Sequence, residues 1–185
     1  MKIIFFDTET TGLDWRVNGV HQLAGEIMIN GDIVDGFNYR VQPFENCKMD
    51  KKSLEISNTS TEDILGYKKE PQVMLLFSLM LQKYNTDGER FFLAGWRVPE
   101  FDVHFLKALY KRNSVDDEFR KLFYSNYIDV KSLASQYLLS SRLEMSSFRL
   151  LPVAEYLGIK ADKNKLHGAA YDAYLCRLIY QIVTK

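Results

Sequence analysis

Ile3-Ile4-Phe5-Phe6-Asp7-Thr8-Glu9-Thr10-Thr11-Gly12-Leu13 joins four apolar residues to a run of acids, hydroxyls and a glycine. An unbroken apolar run bounded by polar residues reads as a β-strand buried on both faces, near the centre of a helix-covered sheet. Thr10-Thr11-Gly12 then supplies turn chemistry. Asp7 and Glu9 lie two positions apart, and strand side chains alternate. Both carboxylates therefore project from one face at the strand's C-terminal end. Two like charges there repel, and Mg²⁺ or Mn²⁺, which prefer oxygen ligands, would resolve the conflict. Taken by itself, Asp-x-Glu is equally readable as a solvated turn after a strand.

Working outward, residues 23–29 and 33–41 read as two further strands joined by Asn30-Gly31, a strong signal for a two-residue hairpin. The second of these alternates, with Phe37, Tyr39 and Val41 set against Asn38, Arg40 and Gln42. A helix is predicted over 71–84, with Val73, Leu76, Phe77 and Met80 on its apolar face. A fourth strand follows over 90–94, and a helix over 99–111 opening on Pro99. A fifth strand spans 124–128, and Asp129 is placed to cap a helix ending near 139. A short helix over 151–157 stops at Gly158, and the last runs over 169–182. A hairpin followed by strand–helix alternation predicts an α/β fold: a mixed five-stranded sheet flanked by helices, in one domain spanning 1–185.

Two later segments carry chemistry. Leu93-Ala94-Gly95-Trp96-Arg97-Val98-Pro99-Glu100-Phe101-Asp102-Val103-His104-Phe105-Leu106 places an acid where a helix begins. Alone, Asp102 is explained as a first-turn acid favoured by the helix dipole. Leu166-His167-Gly168-Ala169-Ala170-Tyr171-Asp172-Ala173 sets a histidine five residues before another acid. A lone histidine is more often structural; beside a fourth acid, His167 is a candidate base.

Together these segments resemble the DEDD superfamily of 3′→5′ exonucleases, the DnaQ-like enzymes of ribonuclease H-like fold. The family includes proofreading subunits of bacterial replicative polymerases, ribonuclease T and oligoribonuclease. The likeness extends over nearly the whole chain, including 148–159 ahead of the last motif. One branch of the family uses a histidine base, the other a tyrosine one helical turn before the final aspartate. Here that position is Gly168, so the chain resembles the histidine branch, DEDDh. One departure stands out: where many relatives carry an asparagine before Phe-Asp, this chain has Arg97, with Pro99 as an apparent extra residue.

The resemblance implies that Asp7, Glu9, Asp102 and Asp172 ligate two Mg²⁺ or Mn²⁺ ions about 4 Å apart, with Asp7 shared between them. It implies that His167 is the general base; an unperturbed histidine pKa of roughly 6.5 suits that work near neutrality. The product would be nucleoside 5′-monophosphates. Thr10 and Leu13 would contact the terminal nucleotide, Leu13 as a wedge against its base. Arg97 would contact a phosphate. Trp15, Trp96 and Phe101 are candidate stacking surfaces, although in a chain with 14% aromatic residues most rings fill core. Lys160, Lys163 and Lys165 would line the backbone's path or belong to a solvated loop. Asp14 and Glu26 receive no role. The implied partner is nucleic acid, preferentially a single-stranded DNA 3′ end by analogy with proofreading relatives, with RNA as the other class. A polymerase or DNA-repair partner follows from the same analogy. The contrasting reading is a catalytically silent scaffold of the same fold, which would be expected to lack a ligand or the histidine.

Composition sets bounds on these expectations. The 24 basic and 24 acidic residues cancel, so nucleic acid would have to be held by a local basic surface or by metal ions. Two cysteines, in no ligand spacing, read as free thiols in a reducing compartment. No stretch approaches membrane-spanning length, and a cytoplasmic location is expected.

Overall fold

The computed structural model describes residues 1–185. Its centre is one mixed sheet in the order β4-β3-β2-β1-β5-β6. β1 (Lys2–Thr10), β2 (Val20–Ile29) and β3 (Asp32–Gln42) form an antiparallel meander. β5 (Phe91–Gly95) adds to β1 in parallel, and β6 (Ile128–Asp129) adds to β5 in parallel. The expected five strands are joined by a sixth, the two-residue β4 (Lys68–Lys69), parallel to the end of β3.

β1 is buried on both faces, as its apolar run predicts. Ile4 and Phe6 pack with Phe77 and Leu106 on one side; Ile3 and Phe5 pack with Leu175 and Ile179 on the other. Each such side chain contributes about 1.5–3 kcal/mol of apolar burial. The helices form two layers. α3 (Glu70–Gln82) and α4 (Asp102–Arg112) supply the first core, with α5 (Asp116–Leu122) beside them. α6 (Val130–Tyr137), α7 (Leu150–Tyr156) and α8 (Ala169–Val183) supply the second. Two short helices, α1 (Lys51–Ile56) and α2 (Thr61–Leu65), lie between β3 and β4.

Asn30 and Gly31 both have positive φ, 53° and 98°, as a type I′ hairpin requires. Gly25 has a different reason to be glycine. A Cβ there would lie 2.2 Å from the Phe5 carbonyl oxygen, inside the β1–β2 pairing.

Three expectations are corrected. The helix expected from Pro99 begins at Asp102. Arg97 takes a left-handed φ of 62°, and its carbonyl accepts from the N–H groups of Glu100 and Phe101, winding 97–101 into a turn. The strand expected over 124–128 contracts to Ile128–Asp129, with one bridge between Phe123 and Phe91 before it. Leu76 is 40% exposed; the buried face of α3 runs through Val73, Met74, Phe77, Met80 and Leu81.

Candidate active site

The site forms at the C-terminal end of β1, and strand alternation divides it in two. Asp7 and Glu9 share the parity of Ile3 and Phe5, so they face the layer that contains α8. Asp172 enters from the first turn of α8. Carboxylate oxygens of Asp7, Glu9 and Asp172 lie within 4.8 Å of one another. Thr8, of opposite parity, faces α4. Its N–H and Oγ1 donate to Asp102 Oδ1 at 3.0 and 2.6 Å. Asp102 is 3% exposed and lies outside the group of three carboxylates.

All four acids line a cleft of about 250 Å³, together with Thr8, Trp96, Arg97, Glu100, Phe101 and His167. The electrostatics express crowding. Burial first, then the charges of Asp102, Glu9 and Asp172, push the Asp7 carboxyl well above the usual carboxylate range. Burial and the neighbouring Asp172 and Asp102 raise Glu9 to about 8, against a smaller lowering by Arg40. Burial raises Asp172 to about 6, partly offset by His167. Asp102 also rises under burial, restrained by its bonds from Thr8.

These residues fit a divalent cation. Asp172 Oδ1 is buried with no hydrogen-bond partner. Three convergent carboxylates with an orphaned oxygen form a hard, anionic donor set of the kind Mg²⁺ or Mn²⁺ takes. Neutralising the cluster by protonation alone would demand the raised pKa values above.

His167 stands exposed at the cleft, on the turn before α8, with a left-handed φ of 59°. That conformation is costly for a residue with a Cβ and is retained where the surroundings impose it. The other candidates divide. Phe101 and Trp96 line the cleft, whereas Trp15 is turned away and stacks on His104, ring centroids 6.1 Å apart. Arg97 lines the cleft, but its guanidinium is paired with Glu100 at 2.7–2.8 Å. The Thr10 hydroxyl donates to the Gly12 carbonyl, which leaves only backbone for a ligand. Leu13 is 79% exposed. Lys163 and Lys165 are drawn into surface pairs with Glu155 and Asp162. Asp129 caps α6, as expected, and also accepts the N–H of Arg97, anchoring the turn before α4. Glu26 pairs with Arg177 at 2.6 Å.

Sequence reading missed Thr8, Glu100 and Arg40. The alternation that aligned Asp7 with Glu9 also aims Thr8 at the opposite layer, so its contact with α4 had a signal. The Glu100–Arg97 pair has the three-residue spacing of many helical ion pairs, but here it bridges a turn. Arg40 acts on Glu9 through the β2–β3 pairing, which no local pattern marks.

Comparison with known proteins gives a consistent picture. The family model RNase_T, described as an exonuclease, matches residues 4–180. The polymerase of Latilactobacillus sakei named DNA polymerase III PolC-type is 31% identical over 115 residues, covering 62% of this chain and 7% of that protein. Its namesake from Pediococcus pentosaceus is 25% identical over 181 residues, 96% of this chain and 11% of that protein. Among solved structures, Escherichia coli exonuclease I in complex with a dT13 oligonucleotide superposes with a TM-score of 0.79 at 16% identity, covering 100% of this chain and 41% of that one. Exonuclease I from Methylocaldum szegediense gives a TM-score of 0.76 at 17% identity, covering 98% and 40%. The chain therefore spans about a tenth of the polymerases it matches and two fifths of the exonuclease I chains.

Proposed function

The chain belongs to the RNase_T exonuclease family, and from that premise we propose that it is a 3′→5′ exonuclease that hydrolyses single-stranded DNA from its 3′ end and releases nucleoside 5′-monophosphates. The observation that carries the reading is the triad of Asp7, Glu9 and Asp172 oxygens within 4.8 Å, in one cleft with Asp102 and His167.

Asp7, Glu9 and Asp172 would hold one divalent ion, and Asp7 with Asp102 a second. Bound there, Mg²⁺ or Mn²⁺ would offset phosphoryl charge and make a water more acidic. The residues of the chain do the rest. His167 accepts the proton of the attacking water, from a loop whose exposure lets the imidazole exchange it with solvent. Thr8 fixes Asp102, so that carboxylate does not collapse onto the triad. Trp96 and Phe101 offer the terminal base apolar faces on the cleft wall. The Glu100 pairing leaves Arg97 a partner exchange to make before it can bind a phosphate.

Single-stranded DNA as substrate is supported by the exonuclease I structures, several of which contain such oligonucleotides. A polymerase context is supported by the PolC-type relatives. We place residues 1–185 in one exonuclease unit on the extent of the family match. A cytoplasmic setting fits two free cysteines; no helix is long and apolar enough to cross a membrane.

The test is digestion of matched 5′-labelled DNA and RNA oligonucleotides, single- and double-stranded. With Mg²⁺ the single-stranded DNA should shorten one nucleotide at a time, and EDTA or Asp7→Ala should stop it. Internal cleavage, or cleavage that survives Asp7→Ala, refutes the assignment; faster digestion of RNA refutes the substrate alone.

A further inference from the structure

Beside the catalytic cleft lies a second, larger concavity of about 670 Å³ between α4, α5 and the segment after Phe123. α4 borders both. Asp102 and Phe101 at its start line the cleft, and the positions His104, Lys107, Ala108 and Lys111 line the second groove. That is i, i+3, i+4, i+7 spacing, one continuous helical face. Trp15, five residues beyond β1, closes the near end by stacking on His104, with the Arg16 guanidinium 4.7 Å from its ring centre.

The chemistry of this groove differs from that of the whole protein. Net charge is +0, yet the groove presents Arg90, Lys107, Lys111 and Arg120 against one acid, Asp116. Arg120 is tied to Asp117 on the surface. Arg90, Lys107 and Lys111 enter no ion pair. Instead Arg90 lies 5.9 Å from the ring centre of Tyr124, and Lys107 lies 5.3 Å from that of Tyr127. Tyr110 also lines the groove. It is 0% exposed, and its hydroxyl has no hydrogen-bond partner. Unpaired cations spaced along a helix and interleaved with rings suit a phosphodiester chain whose bases stack. An acidic peptide would meet the cations but leave the rings without use.

Resting on the exonuclease reading, we infer that this groove holds the single-stranded DNA upstream of the cleaved nucleotide, as an electrostatic and stacking track separate from the catalytic cleft. From Asp102 to Lys111 the helix rises about 14 Å. That spans about four phosphates at the spacing of a duplex strand, fewer if the strand is stretched. Arg90, Lys107 and Lys111 are the phosphate contacts, and Trp15, held between His104 and Arg16, marks the end of the track nearest the cleft.

The track is tested with the variant Arg90→Ala/Lys107→Ala/Lys111→Ala. Binding of a fluorescent DNA 12-mer is measured by anisotropy in EDTA over a salt series, and hydrolysis of the 12-mer and of the dinucleotide dTpdT is measured in Mg²⁺. Loss of three phosphate contacts lowers the slope of log Kd against log salt by about 2. KM for the 12-mer should rise at least tenfold, with kcat and dTpdT turnover unchanged, which also shows that the variant folds. If the triple variant loses dTpdT turnover, Lys107→Gln/Lys111→Gln, at two exposed positions, decides by the same readouts. A variant matching wild type in slope and 12-mer KM overturns the track while leaving the exonuclease intact. Wild-type protein that hydrolyses neither substrate overturns the exonuclease reading, and the track with it.

Discussion

Asp172→Asn should make the metal-free protein more stable while abolishing its activity. At separations up to 4.8 Å, each ionised pair in the triad repels by about 3.5 kcal/mol at an effective dielectric of 20. The protein escapes part of this by protonation: Glu9 is raised to about 8, Asp172 to about 6, and Asp7 higher than its normal range. For an acid whose pKa is raised by folding, the native state binds more protons than the unfolded chain. Stability is then complete below the unfolded value and is lost as pH rises toward the folded one. The window here runs from about pH 4 to 8. At pH 8.5 in EDTA the substitution removes a charge facing Asp7 and Glu9 and supplies an amide donor to them. A gain of about 2 kcal/mol is expected after screening, or a Tm rise of about 4–8 °C for a chain of this length. At pH 5 the gain should shrink below about 0.5 kcal/mol, because the carboxyls there are largely neutral. Scanning calorimetry at both pH values reads this directly, and added Mg²⁺ should raise the Tm of wild type but not of the variant. A variant less stable than wild type at pH 8.5, or a gain independent of pH, would show that the cluster is not electrostatically frustrated.

Three further outcomes are expected. Thr8→Val removes the 2.6 Å hydroxyl bond to Asp102, a bond to a charged group worth about 1.5–3 kcal/mol; urea unfolding should show that loss, and the acid limb of the pH–rate profile should move upward. His167→Ala should lower kcat by about 10²–10⁴ with KM within twofold, measured under single-turnover conditions; near-normal turnover would remove His167 from the role of base. Gly25→Ala places a Cβ 2.2 Å from the Phe5 carbonyl, so thermal melts should show a loss of about 3 kcal/mol or failure to fold, since the β1–β2 backbones must part beside the site.

What the sequence made legible, and what it did not, divides along physical lines. β1 was readable because burial on both faces demands an unbroken apolar run, and the hairpin because Asn30-Gly31 tolerates the two positive φ angles the turn needs. α1, α2 and α5 were missed because they bury little: Leu54 in the first, Ile64 in the second, Phe119 and Leu122 in the third. α2 did carry a signal, since Ser60 and Asp63 form a capping box. The start of α4 was misplaced because Pro99 is acceptable in a turn as well as in a first helical turn. At the site, spacing grouped Asp7 with Glu9, and the same alternation aimed Thr8 at the opposite layer; that its partner there is Asp102, 94 residues on, is set by the fold. Trp15 was a candidate stacking surface for a base, on residue type alone. Its ring instead finds His104, a contact made by the fold and not by sequence distance.

The claim on which the account turns is that the carboxylates at the end of β1 are drawn together to hold divalent cations. Calorimetric titration of the metal-free protein with Mn²⁺ tests it without any substrate. Wild type should take up Mn²⁺ and release protons as it does so, with more released at pH 7 than at pH 9, and Asp7→Asn should lose that uptake. No uptake by wild type, or the same isotherm for Asp7→Asn, would contradict it.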